Sequence, residues 1–592
     1  MRYQAPGNPN KRLLLLRVIV AIAVLFFGFR LFDYQVISAA KINEVSYDKR
    51  SNTRTLPAIR GSILDNSGVV LAKTVINYNI VAAPINVRDI ERKTADGGKV
   101  TVTVAQQAGE IAALLGMDAA EVMSKLAGTS QYSLIAKRVD AAVYRAIREL
   151  DIPWLYYESV PSRVYPNGAV AGAVLGWVNQ EGAAPAGVER MMDECLAGVD
   201  GEETYERGGS DGIRIPSSAI VTREAKDGRD VVLTLNKDLQ YYAQQVVTAQ
   251  TNYLRADWGS AVVLEVKTGK ILAAAEAPTM DPNTYGEARP EDRHARIFES
   301  SFEPGSVIKT ITAATIVEEG KGTPVTPVTA PYAYKLPNSG GWTVTDSHMH
   351  PPEKLTLTGV LRDSSNTGIM LLGNKVDYRT RFDFLQKFGL GRPSGVGFPG
   401  ESRGQMLEVD KWDGIKKWVS MFGQGIAQTP IQTAMMYQAI ANGGVMLTPK
   451  LVEGCKDASG KLIPAATKPG TRVISEAASR STIDMLEKVV EQGPIGKTAA
   501  VPGYRIGGKT GTAQITDPNT GRYIPGLFAI SFIGMAPAED PQYVVAVTFY
   551  KSRTKSNSIG ATPAFKSIME QVLRTYRVPP STTKSANIPT EW

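Results

Sequence analysis

The sequence between residues 504 and 550 contains three runs rich in β-branched and aromatic residues, which read Tyr504-Arg-Ile-Gly-Gly-Lys-Thr-Gly-Thr-Ala-Gln514, Leu527-Phe-Ala-Ile-Ser-Phe-Ile-Gly-Met-Ala536 and Tyr543-Val-Val-Ala-Val-Thr-Phe-Tyr550. Runs of this composition, separated by short polar or proline-containing stretches, are typical of β-strands. The spacing predicts a three-stranded antiparallel meander. Glycines in the first run indicate that another part of the backbone approaches this strand closely.

Two further patterns extend the meander into a domain. Residues 258–275 predict a hairpin whose turn is Lys267-Thr-Gly269. Residues 564–577 predict a helix with one apolar stripe, formed by Phe565, Ile568, Met569, Val572, Leu573 and Tyr576. We therefore predict an α+β domain over residues 230–578, in which helices cover an antiparallel sheet.

A short motif, Ser306-Val-Ile-Lys309, begins a predicted helix upstream of this meander. Pro304-Gly305 precedes the motif, and apolar residues recur at helical spacing until Gly320. Residues three apart are neighbours on a helix, so Ser306 and Lys309 should share a face. The first helical turn favours a developing alkoxide on the serine. A partly buried lysine with a lowered pKa can take the serine's proton.

Two other motifs, Ser364-Ser-Asn366 and Lys509-Thr-Gly511, follow in the order used by serine acyl-transferases that employ lysine as a base. Ser364 can relay a proton, and the amide of Asn366 can donate to a substrate. Lys509 and Thr510 would hold a carboxylate beside Gly511. The N–H groups of Thr512 and Ser306 would form an oxyanion hole, and an edge strand here can bind an extended peptide.

Each motif also occurs elsewhere, so its context decides which copy matters. Other copies of Ser-x-x-Lys begin at Ser38, Ser46, Ser552 and Ser581, and the other copies of the remaining motifs begin at Lys267 and Ser585. An isolated Ser-x-x-Lys is usually a helix cap with a solvated lysine, and an isolated Ser-x-Asn is usually a turn. We assign chemistry only to the copies at 306, 364 and 509, and we assign none to Lys267-Thr-Gly269.

Three longer stretches accompany these motifs: Arg60-Gly-Ser-Ile-Leu-Asp-Asn-Ser-Gly68, Leu233-Thr-Leu-Asn-Lys-Asp-Leu-Gln240 and Phe422-Gly-Gln-Gly-Ile-Ala-Gln-Thr-Pro-Ile-Gln432. With them, the chain resembles the class B penicillin-binding proteins over nearly its whole length. The resemblance implies a membrane anchor, an elongated mixed α/β pedestal of the dimerisation type over residues 34–225, and a penicillin-binding/β-lactamase-like transpeptidase domain over residues 230–578. Composition predicts a disordered tail over residues 579–592.

The resemblance further implies a peptidoglycan D,D-transpeptidase that forms an ester on Ser306, is acylated by β-lactams and needs no metal or organic cofactor. Ser364-Ser-Asn-Thr-Gly368 and Phe302-Glu-Pro-Gly-Ser306 are more similar to the septal than to the elongation type. The implied partners are stem peptides, a polytopic glycan polymerase of the FtsW/RodA type and other divisome membrane proteins. An elongation-type enzyme, a β-lactamase, a D,D-carboxypeptidase and a non-catalytic structural subunit are the alternatives.

Charge is concentrated at the two ends of the sequence. Residues 1–60 carry ten Lys and Arg against three acidic residues, and residues 551–592 carry seven against two, although the whole chain has a formal charge of +8. Basic ends on a slightly acidic body fit a membrane surface and anionic wall polymers better than a nucleic acid, which would need a basic face with interleaved aromatics.

The chain has too few cysteines and histidines for a zinc site, a disulfide framework or a serine-histidine hydrolase. Cys195 and Cys455 lie far apart, and we expect two buried free thiols rather than one long-range disulfide. His348-Met-His350 is interpreted as loop, because no carboxylate or cysteine pattern accompanies it. The stretch from about Gly322 to Pro352 is Pro/Gly-rich and is expected to be irregular.

Residues 13–33 form a mostly apolar run preceded by Lys11 and Arg12. A run of this length spans a bilayer, and the positive-inside bias puts residues 1–12 in the cytoplasm and the rest outside the cell membrane. Ser38-Ala-Ala40 also resembles a signal-peptide cleavage site. The length of the run favours a retained single-pass anchor.

Overall fold

The computed structural model describes residues 9–93, 97–206, 218–337, 339–517 and 519–592, and for residues 48–50 it describes the backbone alone. The chain divides into two compact units. The first unit comprises Met1–Ile59, Val75–Ser162 and Gly198–Asp227, and the second comprises Arg60–Thr74, Arg163–Ala197 and Gly228–Trp592. Most of the expected cytoplasmic segment, residues 1–12, lies outside the described residues.

The helices, in chain order, are α1 Pro9–Phe32, α2 Ala39–Arg50, α3 Val104–Leu115, α4 Ala119–Leu126, α5 Ala141–Glu149, α6 Gly172–Leu175, α7 Gly187–Met191, α8 Asp193–Leu196, α9 Lys237–Leu254, α10 Arg296–Glu299, α11 Lys309–Glu318, α12 Leu357–Asp363, α13 Asn366–Gly373, α14 Tyr378–Lys387, α15 Lys416–Val419, α16 Pro430–Ala441, α17 Glu476–Gln492 and α18 Thr562–Thr575. A π-helical turn, Asp33–Ile37, continues α1, and a 3-10 turn, Gly305–Ile308, precedes α11.

The strands are β1 Ser51–Leu56, β2 Ile63–Leu64, β3 Val70–Ala82, β4 Ile90–Lys93, β5 Lys99–Val102, β6 Ser133–Val139, β7 Leu155–Val164, β8 Gly201–Glu206, β9 Ile220–Arg223, β10 Val231–Leu233, β11 Trp258–Glu265, β12 Ile271–Ala277, β13 Pro327–Ala330, β14 Ala333–Lys335, β15 Thr343–Thr345, β16 Glu353–Thr356, β17 Val445–Met446, β18 Val452–Lys456, β19 Leu462–Pro464, β20 Thr471–Arg472, β21 Gly507–Thr516, β22 Tyr523–Ala536 and β23 Tyr543–Ser552.

The first unit begins with a helix that is long and apolar enough to cross a membrane. It spans Pro9–Ile37, has a mean hydropathy of 2.4 in its most apolar window, and none of that window is buried against protein. Apolar side chains that find no protein partner on any face suit a lipid environment. This helix contains the whole of the run predicted from the sequence as the anchor.

The remainder of the first unit is a small mixed fold. Strands β1, β8 and β9 pair antiparallel, and β3 pairs with β6. Helices α3, α4 and α5 share one core with β3 and β6, which includes Ile80, Ile111, Ile135 and Ile147. Thr103 and Gln106 form a capping box at the start of α3, which fixes where that helix begins.

The second unit is built on a five-stranded antiparallel sheet in the order β12-β11-β23-β22-β21. This arrangement confirms the predicted meander and the predicted hairpin, whose turn holds Lys267-Thr-Gly269. Successive side chains of a strand point to opposite faces, and both faces of this sheet are buried. Val263, Phe532 and Val547 pack with α9 and α18 on one face. Val262, Ile533 and Ala546 pack with α11 and α16 on the other.

Two stretches of the expected pedestal, residues 60–74 and 163–197, belong to the second unit. Buried ion pairs join them, because Glu189 receives Arg60 Nε and Arg163 Nε on its two oxygens, each at 2.7 Å. Strand β2 also pairs parallel with β10. Long-range pairing of this kind leaves no local sequence signal, so the expected single block over residues 34–225 differs from the contact-defined unit.

The two cysteines form a disulfide, so the expectation of free thiols is wrong. Cys195 on α8 and Cys455 on β18 are bonded across a sequence separation of 260 residues. Residues 163–197 pack beside β10 and β18, and this packing places the two cysteines next to each other. Sequence spacing alone carries no information on such an approach.

The expected disordered tail is instead in contact with the second unit. Within residues 579–592, the backbone of Ser581 donates to Gly503 O, and Thr356 N donates to Thr590 O. The region from Gly322 to Pro352 is likewise more ordered than expected, since it contains β13, β14 and β15, of which β14 pairs with β15 and β13 pairs with β16 just after the region. Polar composition predicted disorder for the tail and irregular structure for the region from Gly322 to Pro352. Both segments find their hydrogen-bond partners only in the folded unit, so composition alone did not indicate this order.

Candidate active site

Ser306 lies in the 3-10 turn that leads into α11, and its backbone rests against strand β21. Gly305 has a φ of 59°, and a Cβ at that position would lie 2.4 Å from Thr512 O. Only glycine accommodates both the left-handed conformation and this close approach. The predicted helix is therefore present, but the serine occupies a 3-10 turn before it. The close approach places the backbone of Ser306 beside that of Thr512.

A buried tyrosine supports this turn from behind. Tyr437 on α16 donates from its hydroxyl to Val307 O at 2.9 Å, and the Thr310 hydroxyl lies 2.9 Å from the same oxygen of Tyr437. Burial raises the pKa of Tyr437 far above its ordinary value, so the hydroxyl stays protonated and keeps donating. Sequence analysis did not identify Tyr437, which lies 130 residues from the motif it supports.

Lys309 is fully buried, and its amine is held by the second motif. Its Nζ donates to the main-chain oxygen of Ser364 and lies 3.3 Å from Ser364 Oγ. Burial lowers the pKa of Lys309 to about 7, although the carboxylate of Asp346 opposes the shift. Within the described residues, no hydrogen bond joins Lys309 to the hydroxyl of Ser306. Catalytic hydrogen bonds of this kind often tighten only when a substrate is bound.

Ser364 occupies a strained position that points its hydroxyl at two amines. It caps the C-terminal end of α12 with a φ of 60°, which is the left-handed region. Residues other than glycine rarely adopt this conformation, and those that do are concentrated at functional sites. Ser364 Oγ accepts a hydrogen bond from Lys509 Nζ at 2.9 Å in addition to its contact with Lys309.

Lys509, on β21, is also fully buried. Its Nζ lies 2.9 Å from Thr510 Oγ1 and donates to Ser364. Burial and the nearby positive charge of Lys309 lower the pKa of Lys509 well below its ordinary value, and Asp363 opposes that shift. Two ammonium groups that share one serine in a buried site repel strongly. The pair therefore favours a state in which at least one amine is neutral and can accept a proton.

Strand β21 forms the edge of the five-stranded sheet and lies against the turn that contains Ser306. Thr510 and Thr512 are half-buried and Gln514 is exposed, and all three alternate with buried neighbours, so they share one face of the strand. A Cβ on Gly511 would lie 2.2 Å from Ser531 Oγ and 2.7 Å from Val307 Cγ1. The glycine of the third motif therefore lets β21 and the nucleophile turn pack together.

Ser558 is a further residue of this edge that sequence analysis missed. It is fully buried, its Oγ donates to Gly511 O at 2.7 Å, and it lies 3.4 Å from Thr512 Oγ1. It follows β23 rather than any motif, so no spacing indicated it. Its contacts fix the backbone of the strand that would carry the oxyanion N–H.

Asp346 is the most important site residue that the sequence analysis did not predict. Its buried carboxylate accepts from the backbone N–H groups of Asn366 and Thr367 and from the Ser365 hydroxyl, the last at 2.7 Å. His350 Nε2 lies 3.2 Å from the same carboxylate. The N-terminus of α13 favours a negative charge. Asp346 therefore holds the loop that carries the second motif.

Asn366 is oriented by the same region. Its Nδ2 donates to Thr345 O at 2.9 Å, at the end of β15.

His350, which the sequence analysis interpreted as part of a loop, lies near Glu353. Burial lowers the pKa of His350, but hydrogen bonds to the main chain of Pro351 and to Asp346 outweigh this effect and raise the pKa. The described residues include no cluster of three or more His, Cys, Asp or Glu residues arranged to hold a metal ion.

We expect acylation to depend on pH through Lys309. Its pKa is lowered to about 7, and the neutral amine is the form that can take the serine's proton. Below pH 7 the neutral fraction, and with it the acylation rate constant, should fall about tenfold per pH unit, and above pH 8 the rate should be nearly constant. Stopped-flow acylation by a fluorescent penicillin from pH 5.5 to 10 measures this. A rise that continues to pH 10 would contradict it.

We expect Asp346→Asn to loosen the second motif. An asparagine would present an NH2 group to donors that now face a carboxylate, and the loss of this buried acceptor should destabilise the protein by about 3 kcal/mol. Acylation at pH 8 should fall about 10- to 100-fold, because Ser364 moves relative to the lysines. Thermal unfolding and acylation kinetics test both effects. Ser347→Ala, which alters an exposed neighbour, should change neither, and an unaltered acylation rate in Asp346→Asn would show that the carboxylate is not needed.

The chain matches two family models in succession. The Penicillin-binding Protein dimerisation domain matches residues 55–233, and the Penicillin binding protein transpeptidase domain matches residues 259–570. Penicillin-binding protein PbpB of Mycolicibacterium smegmatis is 35% identical over 591 residues, which covers 96% of this chain and 90% of that protein. Peptidoglycan D,D-transpeptidase FtsI of Escherichia coli is 28% identical over 564 residues, covering 95% and 91%.

Solved structures agree with these matches. The crystal structure of Penicillin binding protein 3 from Mycobacterium tuberculosis complexed with ampicillin has a TM-score of 0.70 and 30% sequence identity to this chain. The alignment covers 91% of this chain and all of that one. Similarity therefore extends over both units and includes the strand and helices that carry the three motifs. The chain belongs to the penicillin-binding protein transpeptidase family, as a class B member with a dimerisation domain ahead of its transpeptidase domain.

Proposed function

We propose that this protein is a peptidoglycan D,D-transpeptidase of the septal type, which cross-links stem peptides through an ester on Ser306. The observation that carries the proposal is the hydroxyl of Ser364, which lies between the buried amines of Lys309 and Lys509 at 3.3 and 2.9 Å. This arrangement supplies a neutral amine, a proton relay and a nucleophile at one edge of a sheet. The names and ligands of the related proteins support the same activity.

The first step forms the ester. Neutral Lys309 takes the proton of Ser306, and the serine oxygen attacks the carbonyl between the two terminal D-alanines of the donor stem peptide. The N–H groups of Ser306 and Thr512 stabilise the developing negative charge on that carbonyl oxygen. The carbon–nitrogen bond then breaks, and the proton passes from Lys309 through Ser364 to the departing D-alanine.

The second step transfers the acyl group to an amine of a neighbouring strand. The amine attacks the ester carbon and loses one proton, and the bond to Ser306 Oγ breaks. The proton returns to the serine oxygen by way of Lys309 and Ser364, so the enzyme is restored. A β-lactam follows the first step, but the amine it releases stays attached to the acyl group, and the ester persists.

The substrate carboxylate is proposed to lie against Thr510 and Thr512. Both threonines are half-buried, whereas Lys509 is fully buried and donates to Thr510 Oγ1 at 2.9 Å. Lys509 therefore acts on the carboxylate through the Thr510 hydroxyl that it orients. Asn366, next to the relay serine, would donate its remaining amide hydrogen to the donor peptide.

Incubation with a fluorescent penicillin and with a D-Ala-D-Ala stem-peptide mimic tests the function. A transpeptidase should retain the penicillin adduct for many minutes and release D-alanine with transfer to an added amine. Rapid loss of the adduct would indicate a β-lactamase, and release of D-alanine into water alone would indicate a carboxypeptidase. The absence of any adduct on folded protein would indicate a structural subunit.

The membrane anchor suggests where this chemistry takes place. The Pro9–Ile37 helix supports a single-pass protein, and Lys11 and Arg12 support a cytoplasmic N-terminus with the catalytic unit outside. A polytopic glycan polymerase would contact the anchor and the first unit. Accessibility of engineered cysteines to a membrane-impermeant reagent tests the orientation. A fluorescent fusion should mark the constricting septum, and labelling of the side wall would instead favour an elongation role.

A further inference from the structure

The segment Ser581–Trp592, which follows α18, runs along the second unit and ends beside the second motif. Its last residues lie next to β16, where Thr356 N donates to Thr590 O at 3.0 Å and Trp592 N donates to Lys354 O at 3.3 Å. Trp592 Nε1 donates to Val328 O on β13, and the amine of Lys354 lies 5.1 Å from the centre of the Trp592 ring. The segment therefore adds one antiparallel bridge, between Glu591 and Leu355 of β16, to the β13–β16 pair.

The same residues hold both ends of α12. Thr356, the N-cap of this helix, donates from its hydroxyl to Pro589 O at 2.8 Å. In the last turn, Arg362 donates to Thr590 Oγ1 at 2.6 Å and to Glu591 Oε1 at 2.9 Å. A Cβ on Gly359, in the middle of the helix, would lie 1.9 Å from Thr590 O. Only a glycine allows the segment to lie this close.

Helix α12 matters for chemistry because it ends at Ser364. The Ser364 N–H donates to Val360 O as the C-cap of the helix. Any shift of α12 along its axis therefore moves the hydroxyl and the carbonyl that hold Lys309. Arg362 also pairs with the neighbouring carboxylate of Asp363 at 2.6 Å, so the contact with the segment fixes the last turn of the helix directly before the relay serine.

The first residues of the segment hold the approach to β21. Ser581 N donates to Gly503 O, and Arg505 N donates to Ser581 Oγ, each at 2.9 Å. Arg505 also donates to Thr583 Oγ1 at 2.6 Å. Between the two ends, Lys488 on α17 donates to Ser585 Oγ at 3.1 Å, and α17 packs against both α12 and β21. The segment thus connects the element that carries the third motif to the helix that carries the relay serine.

We propose that Ser581–Trp592 is a positioning clamp, which keeps Ser364 on α12 at hydrogen-bond distance from Lys309 and from Lys509 on β21. The proposal rests on the catalytic role assigned above to these three residues. Thr590 is its central positioning residue, since its carbonyl packs on Gly359 and its hydroxyl accepts from Arg362. None of the clamp residues touches the nucleophile, and they act on catalysis through α12.

The clamp should affect the chemical step and its pH dependence rather than the initial binding of a β-lactam. The charged groups that face Lys309 are Lys509 on β21 and the carboxylate of Asp346, and Asp363 acts on Lys509. A loosened α12 would admit water to this site and stabilise the charged form of Lys309. In a plot of the acylation rate constant against pH, the fall on the acid side (the acid limb) should therefore begin at a higher pH.

Three variants of the full chain test the clamp. Deletion of residues 588–592 removes all contacts with α12, and we expect it to lower the acylation rate constant k2 for a fluorescent penicillin about 10- to 100-fold. The dissociation constant of the initial complex should change by less than about twofold, because the groups that bind the ligand remain. Thr590→Val, which keeps the shape but removes the hydroxyl, should lower k2 about fivefold, and Thr590→Ser should restore it.

Asn587→Ala, which alters an exposed residue of the segment, is the control and should behave as wild type. The fraction of folded protein is measured by circular dichroism and by the amplitude of labelling. Unchanged k2, or an unmoved acid limb, in a folded deletion variant overturns the clamp alone. A reduced amplitude with unchanged k2 overturns it too, because the segment would then only stabilise the fold. Absence of labelling in wild type overturns the proposed function together with the clamp.

Discussion

Ser306→Ala should abolish covalent labelling by a fluorescent penicillin, with a fall in acylation of about 10⁵-fold or more. The alanine has no oxygen to form the ester, and no neighbouring hydroxyl replaces it, since Ser364 is bound between two amines. The half-buried Ser306 donates no hydrogen bond to Lys309 in the described structure. Its removal should therefore change the free energy of unfolding by no more than about 0.5 kcal/mol.

Gel fluorescence and mass spectrometry of the peptide that contains residue 306 measure this effect. Ser552→Ala is the matched control, because Ser552 and Lys555 form a second Ser-x-x-Lys in the same unit. Ser552 Oγ donates to Lys555 O at 2.7 Å and lies outside the site. This variant should label as wild type does. Labelling of Ser306→Ala at the wild-type rate would place the nucleophile elsewhere and refute the mechanism.

Lys309→Met should reduce acylation about 10³-fold at pH 8 while leaving the protein folded. General-base catalysis by a positioned side chain contributes about 10²–10⁴-fold, and methionine retains the length of the side chain without the amine. Lys309 is fully buried, so the loss of its amine also removes a desolvation cost, and the thermal midpoint should not fall. The rise of the rate near pH 7 should disappear with the base.

Lys309→Arg distinguishes the role of Lys309 as a proton acceptor from its contribution of a positive charge. Arginine keeps a cation in the site but does not lose its proton in proteins, so this variant should be as inactive as Lys309→Met. Lys555→Met, at the exposed lysine of the other Ser-x-x-Lys motif, is the control and should retain wild-type kinetics. An active Lys309→Arg would show that Lys309 supplies only charge and that another group takes the proton of Ser306.

The chemistry of the site could be read from the sequence because it resides in short motifs. The spacing around Ser306 and Lys309 predicted a helix, which begins at Lys309 with Ser306 in the 3-10 turn before it. The pattern of residues 504–514 predicted a strand, which is β21. Local context also predicted that Lys267-Thr-Gly269 is the turn of a hairpin, which the pairing of β11 with β12 confirms. Local geometry and hydrophobic periodicity determine such features within about ten residues.

Residues that support these motifs were not predictable in the same way. Asp346 lies 19 residues from Ser365 and sits in a stretch whose composition indicated only irregular chain. Ser558 reaches the site from the turn that follows β23, and Tyr437 reaches it from α16. Each is an ordinary polar residue in the sequence, and its role arises when folding brings it to a buried donor or acceptor that needs a partner.

The sequence by itself determined the membrane-spanning helix, the antiparallel sheet and the order of the three short motifs, because each depends on the periodicity or identity of nearby residues. The tertiary structure alone decided that Cys195 bonds to Cys455, that residues 60–74 and 163–197 join the second unit, and that Ser581–Trp592 lies along α12. These features depend on contacts between segments up to 260 residues apart. Such contacts form only where complementary backbone and side-chain groups meet in the folded chain, and no local pattern specifies them.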